Sequence, residues 1–81
     1  FEKSILDEKG ELKLSSGDIL ISNHGNEMIV KEIDYDLQNS KGEVLLELIK
    51  KNGKKVELPT KFRESFLSLT DAARQKTIRK L

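Results

Sequence analysis

The sequence predicts a mainly β fold: a small, strongly bent five-stranded sheet or barrel, followed by one or two short C-terminal helices. Glycines in turn-forming contexts divide the first two thirds of the 81-residue chain into short segments. Several of these segments are rich in β-branched residues or alternate apolar with polar side chains, as strands do. After Pro59 the apolar spacing becomes that of an amphipathic helix. These three observations together predict strands first and helix last.

Two hairpins are predicted in the first half of the chain. In residues 3–14, Ile5 and Leu6 can lie opposite Leu12 and Leu14 across a turn at residues 8–10. Residues 18–22 and 28–33 are β-rich and are separated by a glycine turn at residues 24–26, so they are predicted to pair antiparallel.

The clearest hairpin centres on Asn52-Gly53. Asparagine and glycine both tolerate positive φ, which a type I′ turn requires at its two central positions. Strands are therefore predicted at residues 43–51 and 54–58. Pro59 is predicted to close the second strand because it has no amide hydrogen to donate.

A helical segment is predicted at residues 60–81. Phe62, Phe66, Leu69 and Ala73 are spaced i, i+4, i+7 and i+11, on one helix face. Thr60, Ser68 and Thr70 can each cap a helix, and Thr70-Asp71 looks like a fresh start. Two helices, at residues 60–67 and 71–80, are favoured over one long helix.

Length and composition limit the classes of protein. Eighty-one residues suffice for one small domain, and the absence of cysteine excludes disulfides and thiolate metal sites. A reducing, cytoplasmic location is therefore expected. No apolar run approaches the roughly 20 residues that span a bilayer, so no membrane partner is expected. The chain begins at Phe1 without an initiator Met or a signal-peptide pattern, which suggests a fragment of a larger protein.

No constellation of residues predicts catalysis, a cofactor, a metal or a small-molecule substrate. His24 is the only histidine and lies in a turn, whereas zinc needs three or four protein ligands. Asp34 and Asp36 share a strand face, but a solvated strand end explains them better than a cation site. The glycine loops that bind phosphate are absent. We therefore expect a protein that is not an enzyme.

Charge is sorted along the chain. Residues 1–49 carry five basic side chains against eleven acids, a net charge of −6, whereas residues 50–81 carry ten basic against three acidic, a net charge of +7. Such asymmetry suggests a polyanionic partner. The ten candidate binding residues are Lys50, Lys51, Lys54, Lys55, Lys61, Arg63, Arg74, Lys76, Arg79 and Lys80.

These cations predict an accessory module that binds the DNA or RNA backbone, because clustered Lys and Arg neutralise phosphates and release counterions. Base-specific recognition is not predicted, since Phe62 and Phe66 are assigned to the core and only Tyr35 is predicted to be free for stacking. A purely structural explanation of the same cations is that lysines are common at hairpin turns and that cations are common at helix C-termini. It accounts less well for the scarcity of acids in residues 50–81.

A protein-interaction module is the alternative. In that case the acidic and basic parts of the chain would meet complementary surfaces of a partner or of a parent protein. The position of Leu69, Ile78 and Leu81 discriminates between the two functions. If they pack on the sheet, the cations are free for phosphate; if they form an exposed stripe, a protein partner is favoured.

Residues 16–34 also resemble a known family. The run Ser16-Gly17-Asp18-Ile19-Leu20-Ile21, followed by a glycine turn and Met28-Ile29-Val30-Lys31-Glu32-Ile33-Asp34, resembles the opening hairpin of SH3-like barrels of the KOW and Tudor type. The resemblance covers about residues 16–58. It implies a five-stranded bent barrel with a nucleic-acid, ribonucleoprotein or protein-tail partner. Glu27 and Met28 stand where a KOW motif has its second glycine, and Tyr35 is the single candidate for a Tudor-type aromatic cage.

Overall fold

A computed structural model describes residues 2–81 and confirms a mainly β fold with one short C-terminal helix. The elements are β1 (Ile19–Ser22), β2 (Glu27–Asp36), β3 (Lys41–Lys51), β4 (Lys54–Ser65), α1 (Phe66–Arg74) and β5 (Ile78–Lys80). The strands form one open antiparallel sheet in the order β4-β3-β2-β1-β5. The predicted hairpins at residues 18–33 and 43–58 are confirmed as β1–β2 and β3–β4.

The core lies on one face of this sheet. Because alternate residues of a strand point to opposite faces, Leu20, Val30 and Leu46 are buried on the same side. The N-terminal segment and α1 supply the other half of the core through Ile5, Leu12, Leu14, Phe66, Leu69 and Ala73. The predicted helix face is thus correct from Phe66 onward, whereas Phe62 reaches the core from a strand.

The N-terminal segment, residues 3–14, folds back as the sequence predicts but forms no strand of the main sheet. Leu6 and Leu12 make an isolated antiparallel bridge. The turn between them is held by Asp7, whose Oδ1 accepts hydrogen bonds from the backbone N–H groups of Glu11 and Lys9, both at 2.9 Å. These bonds to the charged form, led by that from Glu11, lower the pKa of Asp7 below its ordinary value.

Pro59 does not end the last strand, so the predicted helix at residues 60–67 is wrong. β4 is an edge strand of the sheet and continues to Ser65. Between the pairs Lys50↔Lys55 and Leu48↔Thr60, the chain of β4 bulges and carries extra residues that include Pro59. A proline is tolerated in a bulge of an outer strand because its missing N–H breaks no ladder hydrogen bond.

The predicted helix at residues 71–80 is also wrong. Ser65 caps α1, its Oγ accepting from the backbone N–H of Ser68 at 3.1 Å. The helix ends at Arg74 in a Schellman motif, in which Lys76 N–H donates to Ala73 O and Thr77 N–H to Ala72 O. Lys76 adopts the positive φ of 60° that this motif requires and that glycine usually supplies. The missing glycine explains why the helix end was not predicted.

No helix within residues 2–81 is both long enough and apolar enough to cross a membrane.

Candidate nucleic-acid interface

The β3–β4 turn is the type I′ turn that the sequence predicts. Asn52 and Gly53 have φ of 53° and 81°, and Lys51 pairs directly with Lys54 across the turn. Lys50 pairs with Lys55 one step further from the turn. Four lysines are therefore concentrated at one hairpin tip, with two like-charged pairs facing each other across the strands.

This tip is docked on the β1–β2 turn. Gly53 N–H donates to Gly25 O at 2.8 Å, and Asn52 N–H donates to Asn26 Oδ1 at 3.0 Å. Gly25 has a φ of 81°, and a Cβ built there would lie 3.0 Å from Gly53 N. Glycine at this position therefore lets the two turns approach closely.

The β1–β2 turn in turn contacts the segment between α1 and β5. Asn23 N–H donates to Thr77 O at 3.0 Å, and Arg79 Nη1 donates to Asn23 Oδ1 at 2.5 Å and to Lys76 O at 2.8 Å. Lys76, in the tight turn after the helix, is thereby brought to the same end of the sheet as the lysine hairpin.

Four cations at this end have no acidic partner within residues 2–81. We call them the basic row: Lys51, Lys54, Lys55 and Lys76, all exposed. At the spacing of neighbouring strands, the five-strand end of the sheet is about 20 Å wide. An edge of that width can reach several phosphates of a nucleic-acid backbone.

The other candidate cations at this end are paired. Lys50 Nζ lies 3.2 Å from Glu27 Oε2. Arg79 Nε forms an ion pair with Glu2, and its guanidinium also holds the Asn23 side chain. Both basic side chains are less exposed than the basic row. Lys50 and Arg79 therefore brace the end of the sheet, and their charge is largely neutralised.

The remaining four predicted residues lie elsewhere. Lys61 and Arg63 are on β4, opposite Glu47 and Leu45 of β3. Arg74 ends the helix, 4.0 Å from Asp71, and lines a cleft with residues of the turns at 10–12 and 37–40. Lys80 is opposite Leu20 in the sheet, 3.8 Å from Asp18. Of the four cations that the sequence assigned to a final helix, only Arg74 is helical; Arg79 and Lys80 belong to β5.

The opposite end of the sheet is acidic. Asp34 and Asp36 end β2, and Glu43 lies near the start of β3. Asp36 is bound to the turn that follows it, since Oδ1 accepts from the N–H of Gln38 at 2.9 Å and Oδ2 from Asn39 Nδ2 at 2.5 Å. These acids therefore lie at the end of the sheet away from the lysine hairpin, together with Lys41 opposite Asp36 and Arg63 beside Glu43.

Tyr35 is not free for stacking, so that expectation is wrong. Its ring lies 5.2 Å from the Phe66 ring, and its hydroxyl donates to Leu12 O at 3.2 Å. Burial raises the pKa of the Tyr35 hydroxyl above its ordinary value. Phe62 and Phe66 also pack on the core. None of these three aromatic rings lies at the basic end, which offers phosphate contacts rather than base stacking.

The helix does not present an apolar stripe. Leu69 is buried and Ile78 packs on the core, while Leu81 is 52% exposed. Leu69 and Ile78 therefore pack as expected if the cations are free for phosphate, whereas Leu81 does not.

Sequence reasoning missed the turn residues that assemble this end. Asn23, Gly25 and Asn26 join the hairpin tip to Thr77 through hydrogen bonds, and His24 is exposed between them. The sequence identified His24 correctly as an exposed turn residue, but nothing local to it indicates that the turn lies among lysines distant in the chain. No group of histidine, aspartate and glutamate side chains within the described residues is arranged to hold a metal ion.

Comparison with protein-family models, with curated proteins and with solved structures finds no match for this chain. The functional conclusions below therefore depend on the residues and their geometry.

Proposed function

We propose that this chain is a non-catalytic accessory module that binds the phosphate backbone of DNA or RNA through the basic row. The observation that carries the proposal is the docking of the lysine hairpin on the β1–β2 turn and of that turn on Thr77. It places four cations without acidic partners at one end of the sheet. Lysines in such a row neutralise phosphates and release counterions, which favours binding irrespective of base sequence.

The energetics of the basic end support this proposal. Lys51 faces Lys54, neither has an acidic partner within the described residues, and like charges directly opposite each other destabilise a hairpin. Lys76 holds a positive φ at a cost of about 1 kcal/mol relative to glycine. A polyanion bound at this end would relieve the repulsion, so the same residues that weaken the isolated fold would strengthen the complex.

The chain has no cysteine, as is common for proteins of reducing compartments, and we therefore propose a cytoplasmic location. The resemblance of residues 16–58 to SH3-like barrels suggests the same class of partner.

The test is a titration of fluorescent duplex DNA, single-stranded DNA and RNA oligonucleotides at several salt concentrations. Four phosphate contacts predict that log K falls against log salt with a slope of about −3.6 for duplex DNA and about −2.8 for a single strand. Oligonucleotides of equal length and different sequence should bind alike. Absence of binding at low salt would refute the proposal.

A charge-matched pair of variants locates the site. In the row variant, Lys51, Lys54 and Lys55 are each changed to Glu; in the control, the exposed Lys9, Lys13 and Lys41 are changed to Glu. Both variants have the same net charge, so the long-range repulsion between the protein and the nucleic acid is similar in the two. We expect the row variant to bind at least tenfold more weakly with a shallower salt slope. Equal losses in the two variants would mean that the binding is not at the basic row.

A further inference from the structure

The exposed edge of the sheet along β4 is a second candidate surface, separate from the basic row. β4 hydrogen-bonds to β3 on one side and to no other strand within residues 2–81. The opposite edge, β5, spans three residues and is covered by Lys3, whose N–H and C=O exchange hydrogen bonds with Lys80 at 2.7 and 2.8 Å. β4 is thus the longer edge strand, and it retains unpaired backbone donors and acceptors.

The side chains on the open face of β4 are basic. Lys61 and Arg63 alternate with core-side residues, so both point to the face away from the core. Lys61 lies opposite Glu47, but Glu47 Oε2 is bound to Lys31 Nζ at 3.0 Å. Arg63 Nε is 3.9 Å from Glu43 Oε2, and both side chains are more than half exposed. A strand added to β4 would meet positive charge on this face.

The core side of the same edge carries one apolar residue, Phe62, between Thr60 and Glu64. Phe62 packs on the core and is only partly buried, since no strand covers its outer side. Leu58, in the bulge before Thr60, is 83% exposed, the most exposed of the large apolar side chains within residues 2–81. A neighbouring strand with an apolar residue opposite Phe62 would cover the outer side of that ring.

A second copy of the chain fits this edge poorly. Antiparallel pairing of two β4 strands over residues 60–65 would place Lys61 and Arg63 beside their counterparts, and like charges on neighbouring strands are destabilising. An acidic strand would gain from the same positions.

We propose that an extended acidic segment of another protein adds to β4 as a sixth strand over residues 60–65. Its carboxylates would face Lys61 and Arg63, and an apolar side chain between them would cover Phe62. Backbone hydrogen bonds to the exposed edge would supply affinity, and the acidic and apolar alternation would supply specificity. This interaction uses residues outside the basic row and does not depend on nucleic-acid binding.

The probe is a capped peptide of alternating glutamate and valine, titrated into the ¹⁵N-labelled full chain. We expect saturable amide shifts confined to residues 58–65 and their β3 neighbours. A peptide of the same charge in which two consecutive central residues are proline should bind at least fivefold more weakly, because one of the two must face β4 and proline has no N–H to donate there. Equal binding of the proline peptide, or shifts located elsewhere, would overturn the proposal.

Charge exchange provides the control for specificity. The double variant Lys61→Glu/Arg63→Glu should lose the acidic peptide at least tenfold and bind a lysine-valine peptide instead. Lys61→Gln/Arg63→Gln, which avoids repulsion with Glu43 and Glu47, should lose the acidic peptide without gaining the basic one. The double variant Lys51→Glu/Lys54→Glu has the same net charge as the first and should keep acidic-peptide binding. Loss in that control would overturn the β4 assignment, and oligonucleotide titrations of the same proteins test the basic row separately.

Discussion

The two ends of the sheet use charged residues differently. At the acidic end, Asp36 binds the turn that follows it with both carboxylate oxygens, and Tyr35 packs beside it on Phe66. At the basic end, backbone and amide groups make the connections, while Lys51, Lys54 and Lys55 have no acidic partner within residues 2–81. Asp36 therefore serves the fold at its end of the sheet, whereas these three lysines are left available at the other.

The difference also has an energetic side. At the acidic end the Asp36 carboxylate accepts hydrogen bonds from Gln38 and Asn39 of the following turn, and such bonds stabilise a turn. The basic end combines the like-charged cross-strand pair of Lys51 and Lys54 with a positive φ at Lys76. Selection for stability alone would favour different residues there. Three substitutions sharpen this contrast, beginning with the largest expected effect.

Gly42→Ala should damage the acidic end most severely. Gly42 has a φ of 121°, and a Cβ there would lie 2.4 Å from both Asp34 O and Tyr35 Cα, which are backbone atoms that cannot easily move. We expect a loss of about 3 kcal/mol or more in the free energy of unfolding, measured with urea. Gly10→Ala is the control, because its φ of 81° is also positive but nothing lies within 4 Å; it should cost about 1 kcal/mol. Equal losses would show that the acidic end is not tightly packed.

Gly25→Ala should loosen the contact between the two turns of the basic end. The added Cβ would lie 3.0 Å from Gly53 N and 3.3 Å from Asn52 C, so the lysine hairpin must yield by a few tenths of an ångström at its contact with the β1–β2 turn. We expect a loss of about 2 kcal/mol, composed of backbone strain and the Gly53 hydrogen bond. Amide exchange at Gly53 should accelerate, and oligonucleotide binding should weaken.

The control for Gly25→Ala is Gly53→Ala, which has the same φ of 81° with nothing within 4 Å. It should cost only the strain, about 1 kcal/mol. If both variants bind oligonucleotides equally well, docking of the turns is not what assembles the basic row.

Lys76→Gly should have the smallest effect on stability and the opposite sign. Glycine adopts the positive φ of position 76 without a Cβ penalty, so the variant should be more stable by about 0.5 to 1 kcal/mol in urea. Loss of one phosphate contact should weaken oligonucleotide binding severalfold and reduce the salt slope by about 0.9 on duplex DNA. Lys76→Arg keeps both charge and strain and should match the parent in both measurements. A stabilised Lys76→Gly variant with unchanged binding would remove Lys76 from the row.

Local sequence signals predicted the elements whose cause is local. Asn52-Gly53 specified its type I′ turn, and alternating apolar residues specified β3 around Val44 and Leu46. The signals failed after Pro59, where the proline occupies a bulge of an outer strand and Lys76 ends the helix without the usual glycine. Strand β5 was missed because three residues carry too little pattern to identify a strand, and it forms only where β1 offers a pairing partner.

By itself the sequence determined the class of fold, the hairpin turn, the sorting of charge and the chemistry of the cations. Tertiary structure decided which cations lie at the same end of the sheet, because that depends on hydrogen bonds between residues far apart in the chain, such as Gly53 to Gly25 and Asn23 to Thr77. It also decided which cations are neutralised: Lys50, Arg79 and Lys80 meet acids brought near by the fold, whereas the basic row does not. Charge depends on residue type, but its neutralisation depends on distances of a few ångströms that only folding sets.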